Sequence, residues 1–320
     1  MTKKLKYLFI FFIIILISAN SYADISLSND FSTWISSTKL DADNTNFRLQ
    51  YIPTIKSNYA INEDNYIDYE VAGRFTSAFP LSSVSAVNNN INTDFYRCWV
   101  RYSQQQFETR VGLQKINFGP AKILRTLKWF DTLNPMDPLN MSDGVNAVLS
   151  RYFFLDNSNV WIWLIDSKNR LKGSETDASK QNALEYGGRY QFPVPMGEYA
   201  FTLHSRKLDT DGIDEYRYAM DGHWDVEVGL WFESQVIQQR KNNINHNWSK
   251  SLTLGIDYTF NIGSGLYTSL EYYYAVNNKS FKTLENELSA MALNMNLPIT
   301  IIDSLNSIVM TYQGQLMYMF

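Results

Sequence analysis

Residues Tyr66–Thr76 read YIDYEVAGRFT. On an extended chain, successive side chains point to opposite sides. Ile67, Tyr69, Val71, Gly73 and Phe75 then share one face, and Asp68, Glu70, Ala72, Arg74 and Thr76 share the other. The same period-two pattern recurs along the chain. Phe107, Thr109, Val111 and Leu113 alternate with Glu108, Arg110, Gly112 and Gln114. Val226, Val228, Leu230 and Phe232 alternate with Glu227, Gly229, Trp231 and Glu233. Leu252, Leu254, Ile256, Tyr258 and Phe260 alternate with Ser251, Thr253, Gly255, Asp257 and Thr259. Segments of about ten residues with this period predict an all-β protein.

A soluble sandwich also alternates, so the surroundings of the strands must decide. Sandwich strands are usually shorter, whereas about 9–11 residues cross a bilayer as a tilted strand. Lys3, Lys4 and Lys6 precede an apolar run over Tyr7–Ile17, followed by small residues at Ser21 and Ala23. That layout predicts an export signal over residues 1–23, cleaved before Asp24, with residues 24–320 forming one outer-membrane barrel domain. Loss of 1–23 removes three Lys and no acid, leaving 25 basic and 32 acidic residues, a net charge near −7. Such a balance gives no basis for nucleic-acid binding. Aromatic residues make up 15% of the chain and charged residues only 19%, an unusual mixture for a cytosolic enzyme. Cys98 is the only cysteine, so a disulfide scaffold is excluded, and it reads as a small apolar residue on a strand face.

The last nine residues, Tyr312–Phe320 (YQGQLMYMF), place Tyr312, Gly314, Leu316, Tyr318 and Phe320 at every second position. This ending resembles the C-terminal assembly signal of outer-membrane barrels. The resemblance implies recognition by the barrel-assembly machinery, lipid contact for Tyr318 and Phe320, and a chain complete at Phe320. Strands are expected near 28–39, 45–56, 64–76, 93–103, 106–117, 145–154, 158–167, 183–192, 197–207, 214–222, 226–237, 248–260, 264–276 and 307–320. Links after even-numbered strands are mostly short: 104–105, 155–157, 193–196, 223–225 and 261–263, with 57–63 somewhat longer. Links after odd-numbered strands include the long ones: 77–92, 118–144, 168–182, 238–247 and 277–306. Short inner turns alternating with long outer loops are the habit of membrane barrels. The fold expected is a transmembrane antiparallel up-and-down β-barrel of about 14 strands, within a range of about 12–16. It would lie in the outer membrane of a Gram-negative bacterium, in contact with outer-membrane lipid.

With the apolar faces on lipid, the lumen receives Arg74, Arg97, Arg101, Glu108, Arg110, Arg189, Arg206 and Arg217, together with Glu185, Asp221, Glu233, Asp257 and Glu271. Charges are costly in hydrocarbon and tolerated in a wet lumen, where they tune selectivity. Two readings stand for each Arg: an ion-attracting site, or a brace paired with a carboxylate across strands. A two-residue turn at Gln104-Gln105 sets Arg101 opposite Glu108 and Trp99 opposite Arg110. The gathering of Arg on the third to fifth strands points to an anion-attracting patch.

The 27 residues 118–144 are long for a loop and therefore expected to be functional. After Gly119-Pro120, Ile123, Leu124 and Leu127 have helical spacing. Asn134-Pro135 and Asp137-Pro138 end that segment. An apolar-sided helix entering the lumen would constrict or plug it. Arg125, Lys128, Trp129, Asp131, Asn134 and Asp137 are its candidate functional residues; the competing reading is a surface cap. Arg110–Gly119 (RVGLQKINFG), Trp129-Phe130-Asp131 and Leu133–Pro138 (LNPMDP) together resemble a little-characterised outer-membrane porin-like family, itself distantly similar to alginate-type export channels. The resemblance covers about residues 106–155, implies a porin-like barrel, and brings no catalytic residue, metal or cofactor.

Catalysis finds little support. His204 and Ser205 are adjacent on a strand and point to opposite faces, a poor geometry for an activated nucleophile. His223, between Asp221 and Asp225, falls at an expected solvated turn. The first functional reading is a channel for small hydrophilic solutes, anions among them, narrowed by 118–144. The alternative is a plugged barrel acting as a receptor or as part of a surface-polymer export system; an outer-membrane lipid hydrolase ranks last. A possible short helix at Leu284–Asn294 is a further expectation.

Overall fold

A computed structural model describes residues 23–37, 45–80, 91–133, 141–167, 170–210, 212–241, 244–263, 265–277 and 317–318. Among these described residues sixteen strands follow in chain order: β1 (Ala23–Ser37), β2 (Thr45–Ala60), β3 (Tyr66–Pro80), β4 (Asn92–Ser103), β5 (Phe107–Gln114), β6 (Thr132–Leu133), β7 (Ser142–Asp143), β8 (Val145–Phe153), β9 (Asn159–Asp166), β10 (Leu184–Val194), β11 (Gly197–Lys207), β12 (Ile213–Val226), β13 (Val228–Lys241), β14 (Ile244–Phe260), β15 (Leu266–Asn277) and β16 (Met317–Tyr318). Fourteen of them form one antiparallel sheet in the order β1-β2-β3-β4-β5-β8-β9-β10-β11-β12-β13-β14-β15-β16. Each strand pairs with its neighbours in sequence, as in an up-and-down barrel. β6 and β7 make a separate two-strand ladder inside the β5–β8 connection.

The alternating pattern becomes two chemically opposed faces. Outward side chains such as Leu27 (73% exposed), Phe31 (66%) and Ile162 (59%) form an apolar belt, which only hydrocarbon can cover without cost. Inward side chains include Glu185 and Glu233, fully shielded from solvent. The residues between Gln114 and Thr132 lie against the inner faces of strands from β8 round to β15, so the sheet curls about them. The inward folding expected for 118–144 is therefore observed over its described residues.

Several local expectations are corrected. Among the described residues of 118–133 there is no helix, because the backbone N–H groups there donate to wall carboxylates instead of to carbonyls four residues back. The turn expected at 223–225 is paired strand, and the chain reverses at Glu227 (φ 73°), between the partners Val226 and Val228. The long loop expected at 238–247 is mostly ladder: Arg240 pairs with Asn245, with a register shift after Gln239. Its polar residues read as loop, yet β13 and β14 stay paired as far as Lys241 and Ile244. The inner link expected at 57–63 shortens to 61–65, because β2 runs on to Ala60.

The β4–β5 reversal uses Gln104, Gln105 and Gln106, with Gln104 N donating to Phe107 O at 2.7 Å. The turn thus falls at Gln105-Gln106, one residue later than expected, which moves each partner by two, so Arg101 faces Arg110 and Trp99 faces Gly112. A bulge shifts the register between Ala72, which pairs with Arg97, and Gly73, which pairs with Phe95, and sets Tyr96 between the two partners. Its ring lies 3.9 Å from the Arg97 guanidinium carbon and 5.7 Å from that of Arg74, so it joins the inward side instead of the lipid face. Val160–Ile165 (VWIWLI) is apolar on both faces because both are buried by different partners: Ile162 and Leu164 look outward, while Trp163 and Ile165 enter a core inside the barrel. At the C-terminal end, β16 pairs Tyr318 with Tyr272. Phe320, residues 1–22 of the segment expected to be an export signal, and the segment 284–294 lie outside the described residues.

Candidate functional site

The barrel interior is built from the inner faces of the strands and the segment that enters between β5 and β8. Two carboxylates fasten that segment. Glu233 on β13 accepts from Ala121 N (3.0 Å) and Leu127 N (2.7 Å). Glu271 on β15 accepts from Lys122 N (2.7 Å), Ile123 N (3.0 Å) and Leu124 N (2.5 Å). Thr253 of β14 donates to Leu124 O at 2.5 Å. Charge-assisted bonds of this kind are about twice as strong as neutral ones, and they satisfy backbone groups that no helix or sheet serves. Lys122 bonds Asp257 and the Tyr267 hydroxyl (2.6 Å). Desolvation pushes its ammonium down, but these two partners outweigh it and raise it above the ordinary lysine value.

Apolar side chains of the segment meet an apolar patch of wall. Phe118 stacks on Trp163, with centroids 5.9 Å apart, and Trp129 and Phe130 meet Phe118 edge-on. Ile116, Leu127, Val145, Ala147, Leu149 and Ile165 complete this core. Trp129 Nε1 donates to Gln235 at 2.7 Å, which leaves the indole no unmet polar atom. Arg125 bonds Asp131 at 3.0 Å and also reaches Asn117. Lys128 is half-buried; desolvation and then the nearby Arg125 push its ammonium down, against Asp131. Asn134 and Asp137 lie outside the described residues.

The described residues of a second link, 168–182, expected as an outer loop, also turn inward. Lys172, Glu175 and Ser179, between β9 and β10, are buried. Lys172 Nζ sits 2.7 Å from Glu185 and 3.3 Å from Glu175. Glu175 also meets Arg206 (3.1 Å) and Arg217 (2.9 Å), and both arginines meet Glu215 (2.7 and 2.8 Å). Three cations thus face three carboxylates. Two buried arginines on neighbouring strands require such counter-charges; that demand was the available sequence signal.

The predicted lumen arginines are mostly paired. Arg189 makes a bidentate pair with Asp221 (2.6 and 2.7 Å). Arg74 bonds Asp94 (2.5 Å) and Asp143 (2.8 Å). Arg101 bonds Asp68 (2.8 Å) and, diagonally, Glu108 (3.2 Å), which also holds Arg151 (3.1 Å). Among the described residues, Arg97 and Arg110 have no carboxylate within ion-pair distance. Arg97 donates to Ser142 O (2.8 Å) and Tyr96 O (2.6 Å), and Arg110 lies over the Trp99 ring at 4.4 Å. The cluster is therefore part brace and part charge held without a direct ion pair.

Towards the short turns, a cavity of about 560 Å³ opens beneath the inward segment, lined among others by Phe118, Lys122, Arg189, Glu198, His223 and Asp257. His204 uses both ring nitrogens, donating from Nε2 to Glu185 (3.1 Å) and accepting at Nδ1 from Trp163 Nε1 (3.2 Å), so neither is turned to a serine. His223 is exposed and lies 3.3 Å from Glu198. Among the described residues, no group of three or more His, Cys, Asp or Glu is disposed to hold a metal.

No protein-family model and no curated protein matches this chain. Among solved structures, the anion-selective porin from Comamonas acidovorans is similar, with a TM-score of 0.52 at 12% identity over 80% of this chain and 80% of that one. OmpF of Salmonella typhi, in complex with daunomycin, gives 0.49 at 11% identity over 79% and 78%. The outer membrane channel DcaP of Acinetobacter baumannii gives 0.45 at 10% over 81% and 80%. The first of these likenesses shows a shared fold, that of a porin barrel; the other two carry no argument.

Proposed function

We propose that this protein is a porin-like channel of a Gram-negative outer membrane, passing small hydrophilic solutes through a lumen narrowed by the 118–144 segment. The reading is carried by one observation: five consecutive or near-consecutive backbone amides of that segment are held by two wall carboxylates, Glu233 and Glu271. A loop so fastened keeps a constant cross-section, which a passive size filter requires. Preference for anions rests on Arg97 and Arg110, whose charge no described carboxylate cancels at short range. Because the neighbouring arginines are paired, the preference is weak.

A second reading, a plugged barrel serving a receptor or surface-polymer export system like the alginate-type channels, is favoured by the sealed inner wall, where Glu185, Thr202, Glu233 and Thr253 are shielded from solvent. Fourteen strands also lie below the 16–18 associated with open aqueous channels. Single-channel recording of the purified protein separates the two, before and after deletion of 121–142. A channel conducts in both forms, with conductance rising severalfold on deletion. A silent intact protein that opens on deletion is a plug, and silence in both forms overturns the channel altogether.

A further inference from the structure

We propose that the β9–β10 link is a clamp that sets the constriction together with the 118–144 segment, and that Lys172 and Glu175 are its positioning residues. The proposal rests on the constriction reading above and concerns what holds the constriction in place. The link reaches the first segment directly. Ser174 N donates to Lys128 O at 2.9 Å, and the Ser174 hydroxyl donates to the same carbonyl at 3.2 Å. Gly173, at φ +53°, sits so close that a Cβ there would meet the Lys128 carbonyl and the Trp129 backbone. Trp129 is one of the rings of the aromatic core, and Lys128 immediately precedes it. The link therefore presses on the first segment at the point where that segment is buried deepest.

The link is in turn fixed to the wall. Lys172 Nζ reaches Glu185 of β10 and Ser179 (3.1 Å). Glu175 reaches Arg206 of β11 and Arg217 of β12, and its carboxylate accepts from Lys172 N at 3.0 Å. Arg206 donates to Asp177 O (2.8 Å) and Ser179 Oγ (3.1 Å). The Arg217 guanidinium carbon stands 5.7 Å from the Trp129 ring, so the ionic network and the constriction share a boundary. Breaking one member of a buried, hydrogen-bonded charge network leaves an uncompensated charge. Removing one charge of each sign from the link spares the wall: Arg206 and Arg217 keep Glu215, and Glu185 keeps His204 and Ser167.

The test is amide hydrogen exchange on the full-length protein, refolded into lipid, comparing wild type with the double variant Lys172→Ala, Glu175→Ala. The clamp predicts that peptides spanning 121–131 exchange at least about tenfold faster in the variant, with β10–β13 peptides unchanged. Exchange of 121–131 within about twofold of wild type overturns it, provided that Glu271→Ala, which frees the amides of 122–124, speeds the same peptides. Should the double variant fail to assemble, Gly173→Ala decides in the same assay, since it disturbs the contact and leaves every charge. Conductance recorded in parallel separates the two readings. Faster exchange in silent barrels keeps the clamp and removes conduction, whereas unchanged exchange in conducting barrels removes the clamp alone.

Discussion

At Gly119 the backbone takes φ +89°, and a Cβ built there meets the Glu233 carboxylate. One small residue thus lets the chain turn inward and lets Glu233 reach the amides beyond it. Gly119→Ala is expected to cost about 1–3 kcal/mol through backbone strain and a displaced carboxylate. The fraction folded in a urea series would show it, and an unchanged midpoint would place the latch elsewhere. Arg101 and Arg110 face each other across β4 and β5. Replacing both with Glu makes a patch of carboxylates with Asp68 and Glu108, so the reversal potential in a salt gradient should move towards cation preference. A potential equal to wild type would reduce the cluster to a brace. Parity in the sequence separates the two faces of a strand wherever no bulge intervenes, as one does at Tyr96. It does not show which are paired, because pairing depends on register, and a β4–β5 turn placed one residue later, at 105–106, moves every partner across it by two.

Among the strands, the outer faces supply the sharpest expectation. Leu203 of β11 is 56% exposed on the apolar side, with Phe201 two positions before it. Leu203→Arg should lower folding stability by about 2–4 kcal/mol if it lies near the bilayer midplane. The same substitution at Thr202, one residue away, meets the interior and acts instead on packing. Equal small losses at both sites, read from refolding yields into vesicles, would undo the assignment of faces. β9 shows how an element can hide its own parity. Its two apolar faces look alike in the sequence and are buried by unlike partners, lipid outside and the aromatic core inside. The inward segment misleads for a related reason. Its Ile123, Leu124 and Leu127 have helical spacing, but helical hydrogen bonds lose to carboxylates that stand more than 100 residues away along the chain.

For the whole molecule, the strand order is the simplest the chain allows: each strand joins its sequence neighbour. Local alternation and link lengths therefore carried most of the barrel, including the fourteen-stranded sheet, and the inward course of the described residues of 118–144 was legible too. Deleting 121–142, the test of the channel reading, belongs at this scale because it changes the bore and spares the wall strands. The interior is another matter. That two links enter it, that three cations meet three carboxylates around Glu175, and that Glu233 and Glu271 hold backbone amides are facts of non-local contact. The sequence alone determined the two-faced strands, since alternation is a local property and solvent on one side and lipid on the other enforce it residue by residue. Tertiary structure alone decided what fills the barrel, since buried charges and unpaired amides choose partners by position in space, and position inside a barrel is set only once every strand is in register.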